Sequence, residues 1–386
     1  MFASSVIFIF LVVDCYIISL AVAVGTPLGF AKGTTGGGNA PAQIPANNDQ
    51  LAQWLADWTP RVIVLNRTFD FTNAEGKINE QGCRPASNRC VNNGGQDAIN
   101  GANWCSGQPS TPVSYYKAAI RGLQVASHKT LLGKGTAGIL KGKGLRIING
   151  ASNIIIQNIH ITNLNPQYIW GGDAITLAGS DLIWIDHCKF SLIGRQMIVT
   201  GFEPAGRVTI SNCEFDGQTS WSATCNRQHY WTMYFTGKSD SLTFHSNYIH
   251  HTSGRGPKVG GNNGTNVVMH AANNVWQNID GIALEDGIGG NVLLEGNYFE
   301  NVKYPRKTDK PGVSQVFAPM SANSDCQASL GRPCQPNKVL GTTSSQLTGT
   351  EKDFLVNFRN KNPAGAASAD QAKANVLSNS GIGRVN

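Results

Sequence analysis

The chain has 386 residues, 41% of them hydrophobic, with a formal net charge of +7. Length and apolar content suffice to bury a large core. The basic residues are scattered and form no run with interleaved aromatics, which argues against a nucleic-acid partner; a basic surface also suits an acidic or partly acidic polysaccharide.

From the amino terminus, the first two dozen residues are strongly apolar and end in Ala21-Val22-Ala23, the small-x-small pattern of a signal peptidase site. Cleavage after Ala23 is expected, giving a leader over 1–23 and a secreted, extracellular chain. Asp14 divides the apolar run into pieces too short to span a bilayer, so no membrane anchor is expected. Removal of Cys15 leaves eight of the nine cysteines, an even number that predicts disulfides in an oxidising compartment. From Asn47 to Trp58, Leu51, Leu55 and the Trp54/Trp58 pair predict a short amphipathic helix capping one end of the fold.

The middle of the chain repeats one form: an apolar, β-branched run, then Asn or His, then an aromatic or aliphatic residue. It occurs at Asn153–Ile159, Leu182–His187, Arg207–Asn212, Leu242–Tyr248, Asn266–His270 and Asn291–Phe299. The period is roughly 25 to 35 residues, that of a solenoid. The runs are too short for buried helices and are bounded by Gly, Asn or Ser, so they predict strands stacked coil on coil. The expected fold is all-β, a single-stranded right-handed parallel β-helix with long cleft-forming loops, one domain over 24–386. The Asn or His closing each strand belongs on a bend, bonding to backbone and to its neighbours in the stack. Cys188 and Cys213 follow His187 and Asn212 in matching positions and should be stacked neighbours, either bridged or as two buried thiols. The tail from Thr350, with Phe354, Leu355 and Phe358, is expected to pack along the outside of the coil.

Chemistry concentrates in four segments: Trp170-Gly171-Gly172-Asp173-Ala174-Ile175-Thr176, Trp184-Ile185-Asp186-His187, Ile193-Gly194-Arg195-Gln196 and Ser253-Gly254-Arg255-Gly256-Pro257-Lys258. They put one carboxylate, Asp173, and three cations, Arg195, Arg255 and Lys258, in reach of one site. Glycines on both sides of Arg255 free the backbone and Pro257 stiffens it, so that Arg255 and Lys258 face one cleft. Asp186 and His187, at a strand end, are read as bend-stabilising rather than catalytic.

Together with Gly25-Thr26-Pro27-Leu28-Gly29-Phe30 and the Lys141–Ile147 stretch, these segments resemble the pectin lyases of the pectate lyase superfamily over nearly the whole chain after the leader. The resemblance implies β-elimination on α-1,4-linked methyl-esterified galacturonan, the pectin of plant cell walls, with a 4,5-unsaturated sugar as product. It implies Arg255 as the base at C5, with Lys258 and Arg195 as donors to the ester carbonyl and Asp173 orienting Arg195. It also implies the bridges Cys83–Cys105, Cys90–Cys225 and Cys326–Cys334. A guanidinium is normally not a base; crowding by Lys258 and Arg195 would push its pKa down. Calcium-dependent pectate lyases carry acidic side chains where this chain has Arg195, and calcium needs several carboxylates. No metal or other cofactor is therefore expected, calcium included.

Trp104, Trp170, Tyr230 and Trp231 flank the motifs and are read as substrate-binding, whereas Trp184, inside a strand, is read as core. Beyond Asp173 and Asp186 no Asp/Glu cluster is expected near the cleft, which disfavours a β-helical hydrolase needing paired carboxylates. A non-catalytic polysaccharide-binding β-helix would keep the aromatics without needing Arg255 and Lys258 together. Sequons at Asn66 and Asn263 are candidate glycan acceptors. The working unit is expected to be a monomer.

Overall fold

The computed structural model describes residues 23–309, 312–341 and 347–385; residues 1–22 of the expected leader lie outside the described residues. Among these, 23 strands join in one continuous sheet, with parallel pairing from coil to coil. The chain is a parallel β-helix.

Each coil lays strand on three faces, and in Leu145–Gln157, Ile175–Asp186 and Val275–Asp286 one long strand turns a corner and serves two of them. The Ile/Val runs legible in the sequence form one face, including Gly206–Ser211, Asp240–His245, Val267–Ala272 and Gly290–Glu295. Ile154, Ile183, Val208, Leu242, Met269 and Val292 stand in register on it. All six are buried and point inward, because side chains of a strand alternate between its two faces. A second face runs through Lys189–Ile193, Glu214–Asp216 and Tyr248–His250. Its inward Phe190 and Phe215 stack at 5.1 Å, and Trp276 and Phe299 at 4.7 Å. The third face, Ile198–Thr200, Met233–Phe235 and Lys258–Val259, is made of strands of two or three residues; it carries the site.

The bends differ in detail from the sequence reading. Asn158, His187, Asn212, Ser246 and Asn273 do close the strands, and all take a left-handed φ between 48° and 59°, which Asn tolerates better than most residues. The stack itself is formed by the next residue. Asn247 Nδ2 donates to Asn274 Oδ1 at 3.0 Å, Asn274 Nδ2 to Asn297 Oδ1 at 3.0 Å, and Asn297 Nδ2 to Asn337 Oδ1 at 2.9 Å. Cys188 and Cys213 occupy this same ladder position as two buried free thiols, and the Cys213 backbone N–H donates to Asn247 Oδ1. Asp186 also serves the bend, accepting from Gln157, Ser211 and Asn212.

The capping helix spans Asn48–Ala56, with Asn47 Oδ1 accepting from the Gln50 N–H and Leu51 and Leu55 buried. It stops short of Trp58, which is 88% exposed and so does not pair with Trp54 beneath the helix. Trp184 is buried, yet it lies on the outer surface of the coil, under the segment containing Gly25 and Pro27. That segment continues into Gly29–Ala31, where the N–H groups of Phe30 and Ala31 donate to Thr243 and Thr209. The tail packs as expected: Phe354, Leu355 and Phe358 join Phe30, Leu293, Phe317 and the Cys326–Cys334 bridge. A capped helix, Ala369–Asn379, follows it.

A separate four-stranded sheet, Lys77–Cys83, Asp97–Ala98, Ser110–Tyr116 and Tyr168–Ile169, builds one wall of the cleft. Cys83–Cys105 staples this wall, and Cys90–Cys225 ties it to the loop between Asp216 and Met233. Among the described residues no helix is long and apolar enough to cross a membrane.

Candidate active site

The cleft residues come from successive coils, each leaving the second face by a loop and re-entering on the third. Arg195 and Gln196 sit on the loop between Ile193 and Ile198; Tyr230 and Trp231 close the long loop before Met233. Arg255 lies between His250 and Lys258.

Asp173 Oδ2 is 3.5 Å from Arg195 Nη1, and its Oδ1 accepts from the Gln196 backbone N–H at 2.9 Å. Burial holds the Asp173 carboxyl above its ordinary pKa, while Arg195 pulls it back. The Arg195 guanidinium lies flat on Trp170, 3.5 Å from the ring centre. Its pKa is lowered, mainly by burial and further by Arg255, with Asp173 opposing. His229 fixes this loop from below: its Nε2 is 2.7 Å from the Arg195 carbonyl, and burial pulls its pKa down to about 4.

Arg255 stands between two rings, 4.8 Å from the centre of Trp231 and 4.6 Å from that of Tyr234. With the Gln196 amide oriented to satisfy its neighbours, Gln196 Oε1 accepts from Arg255 Nη1 at 3.1 Å. Arg255 Nε is buried without a partner. The unusual backbone angle belongs to Arg255 itself, at φ +46°, and not to the flanking glycines. Gly254 is needed for another reason: a side chain there would overlap the Tyr230 ring.

Lys258 departs from its expected role. Its Nζ lies 2.7 Å from Glu285 Oε1 and 2.6 Å from Asp309 Oδ2, and despite burial the two carboxylates raise its pKa. Its charge is thus matched, and the crowding of Arg255 comes from Arg195. Glu285 and Asp309 also correct the expectation that the cleft lacks further carboxylates. Both hold the Lys258 ammonium; burial pushes Glu285 up, and Asp309, which burial also opposes, is held down by Lys258. Both are engaged as counter-ions of one ammonium, which leaves neither free to serve as the acid or the base of a glycosidase. Asp186, by contrast, lies on a bend away from the cleft.

The four expected aromatics do assemble: Trp104, Trp170, Tyr230 and Trp231 pack around Cys83, Ala98, Ile169 and Ala223. Trp231 Nε1 donates to Gln96 Oε1 at 3.2 Å. Tyr234, Gln196, His229, Glu285 and Asp309 were not singled out from sequence. Tyr234 and Glu285 were reachable through the period, since both stand in register with Lys258. Asn263 is exposed, and its neighbour Asn262 donates to the Tyr234 hydroxyl at 3.0 Å; Asn66 is exposed on the opposite end.

The donors around Asp173 are not those of a calcium site. Asp173 meets a guanidinium and a backbone N–H, both cationic or donating, where calcium requires six to eight oxygens; these residues do not fit the ion. Among the described residues Glu214, Asp216 and His250 bring ligand atoms together on the second face. There Lys189 Nζ already sits 2.8 Å from Glu214 and 3.3 Å from Asp216.

A family model for pectate lyase matches residues 19–385. The chain belongs to the pectate lyase family. Within the family it is 49% identical to a probable pectin lyase F of Aspergillus flavus, over 94% of this chain and 84% of that one. It is 46% identical to pectin lyase B of Emericella nidulans, over 95% and 96% of the two chains. Among solved structures, a pectate lyase from Bacillus sp. N165 in complex with trigalacturonate superposes with a TM-score of 0.60 at 21% identity, over 93% of this chain and all of that one. That likeness supports the shared parallel β-helix.

Proposed function

We propose that the chain is a secreted pectin lyase that cleaves α-1,4-linked methyl-esterified galacturonan by β-elimination without calcium. The observation that carries this reading is the Arg195–Asp173 pair, stacked on Trp170 and facing Arg255, where a metal-using site needs converging carboxylates. The 46–49% identity to pectin lyases supports the same substrate.

A methyl ester carries no charge for a metal to bridge, and its C5 proton is already acidified by the ester carbonyl. What the reaction lacks is a donor to that carbonyl as enolate charge develops, and a fixed cation in a drier site supplies it. Arg195, held by Asp173, Trp170 and His229, is the proposed donor. Arg255 is the proposed base: it takes the C5 proton, the C5 electron pair forms the 4,5 double bond, the C4–oxygen bond breaks with its electron pair leaving on oxygen, and that oxygen is protonated by Arg255 or through water, which restores the base. Trp231, Tyr234 and Gln196 hold the Arg255 guanidinium in place, with the Arg195 cation across the cleft from it. Lys258, fixed by Glu285 and Asp309, keeps one N–H for the substrate. Trp104, Trp170, Tyr230 and Trp231 offer apolar ring faces to the sugars.

The leader and the three bridges fit an extracellular enzyme, acting as a monomer. The test follows ultraviolet absorbance of the unsaturated product on highly methylated pectin and on polygalacturonate, each with calcium and with chelator. Activity on the methylated polymer, indifferent to chelator, is expected; activity confined to polygalacturonate with calcium overturns the reading. Retention of most activity by Arg255→Lys would remove Arg255 as the base.

A further inference from the structure

The loop that carries Tyr230 and Trp231 has a second face. On the side away from the cleft it walls a groove of about 790 Å³, which runs beside the strand ends at Leu192, Gln218 and His251. These residues close strands of the second face, whereas Arg195, Trp231 and Arg255 open strands of the third. The groove therefore lies where the loops leave the coil, and the cleft where they return.

Its lining is dominated by amides, with Asn92, Asn93, Gln218, Asn226 and Gln228. Trp221 stands among them, 37% exposed. Among the described residues no carboxylate lines it, and Arg227 is its one permanent charge; burial and His250 hold the His251 ring below its ordinary pKa. Through Gln228 it continues into a second depression of about 510 Å³ bordered by Asn278, Asp280 and Asn301.

The presenting loop is rigid. Cys225 is bridged to Cys90, the Ser222 N–H donates to the Gly94 carbonyl at 2.8 Å, and Thr219 N–H donates to Arg227 O at 3.2 Å. Asn226 Oδ1 gathers donors from Ser222, Thr224 and Gln228. A large ring held exposed by such a loop is pre-organised rather than loosely packed, and a concave surface of amides around one aromatic face matches a flat, hydroxyl-rich, uncharged ligand.

We propose that this groove is a second polysaccharide-binding site, taking uncharged segments of a pectic chain whose other segments occupy the cleft. The proposal rests on the lyase reading for its ligand class. Arg227 accommodates an occasional unesterified uronate. Two sites on one polymer raise its effective concentration at the cleft, so the gain appears with long chains and vanishes with short ones.

The test uses the full chain with Trp221→Ala and, separately, Gln218→Ala, in an Arg255→Ala background so that the matrix is not cut. Retention on insoluble, highly methylated pectin is measured with competition by methylated oligogalacturonate, unesterified polygalacturonate or neutral arabinogalactan. Both variants are expected to lose retention about 5-fold or more at unchanged melting temperature. Competition by methylated oligomer identifies esterified galacturonan as the ligand, and competition by arabinogalactan identifies the neutral branches. With Arg255 restored, KM should rise about 5-fold on polymer and stay unchanged on a short methylated oligomer. Wild-type retention in both variants, or retention abolished by polygalacturonate alone, overturns the groove. Product formation reads the lyase separately: a chain that makes no unsaturated product yet loses retention on Trp221→Ala sinks the lyase reading and leaves the groove standing.

Discussion

At Arg195, three neighbours of different chemistry act on one side chain: a carboxylate, an aromatic face and, through the backbone, a neutral imidazole. Arg195→Ala removes the proposed donor to the ester carbonyl, and kcat on methylated pectin should fall about 10²- to 10³-fold. Lys258 behaves differently because it is counted twice, once in the cleft and once in the fold. Lys258→Ala leaves Glu285 and Asp309 facing each other without their cation, and removing one partner of a buried pair costs about 3 kcal/mol. Chemical denaturation should show that loss directly, and an unchanged midpoint would mean the three groups do not hold one another. The sequence made Arg195, Arg255, Lys258 and Asp173 legible as a set because they sit in short, separated motifs. It did not reveal Glu285 or Asp309, which look like ordinary strand-end acids until the coils are stacked and Lys258 falls between them.

Among elements, the coil bends show how far a repeat can be read. The Ile/Val runs announce one face, since apolar β-branched residues alternate there over five or six positions. The cleft face is nearly silent, because strands such as Lys258–Val259 and Met233–Phe235 are too short to display a period. The ladder residue was legible as Asn only from Asn247 onward; earlier coils put Cys213 and Cys188 in its place. Asn274 makes ladder bonds on both sides and also donates to the Phe244 carbonyl at 2.8 Å. Asn274→Ala should cost about 2 to 4 kcal/mol, as several buried groups lose partners at once, whereas Cys188→Ala should cost well under half of that. Equilibrium unfolding in urea compares them, and similar losses for the two would show that the amide stack adds nothing beyond packing.

For the molecule as a whole, one buried and two half-buried imidazoles set its response to acid. Burial holds His160, His229 and His245 at about 4 against an ordinary 6.5. The unfolded chain takes up these protons first, so the stability they contribute is whole above about pH 6.5 and is lost as pH falls towards 4. For His229, which is 3% exposed, the loss is on the order of 3 kcal/mol. Glu295 extends the decline: burial opposes it, but Arg332 and His270 hold it at about 2 against 4.5, and its share disappears between those values. Asp240, raised by burial to about 6 from 3.8, runs the other way and gives back part of the loss over that interval. The melting temperature should therefore drop between pH 6.5 and 4, and His229→Gln should flatten that limb; a parallel curve for the variant would exclude His229 as a source.

Because the cleft groups ride on the loops of successive coils, the frame and the chemistry are separable wherever, unlike at Lys258, one side chain does not serve both. Between Ile193 and Ile198 the chain has only four residues to spend, and Arg195 and Gln196 are two of them. Neither contributes a side chain to the inward ladders, so exchanging those two changes what the cleft can attract while Met197, the core residue of the loop, stays in place. A scaffold of this kind is retuned one storey at a time: its substrate preference is a property of a few interchangeable loops, and its shape is a property of everything else.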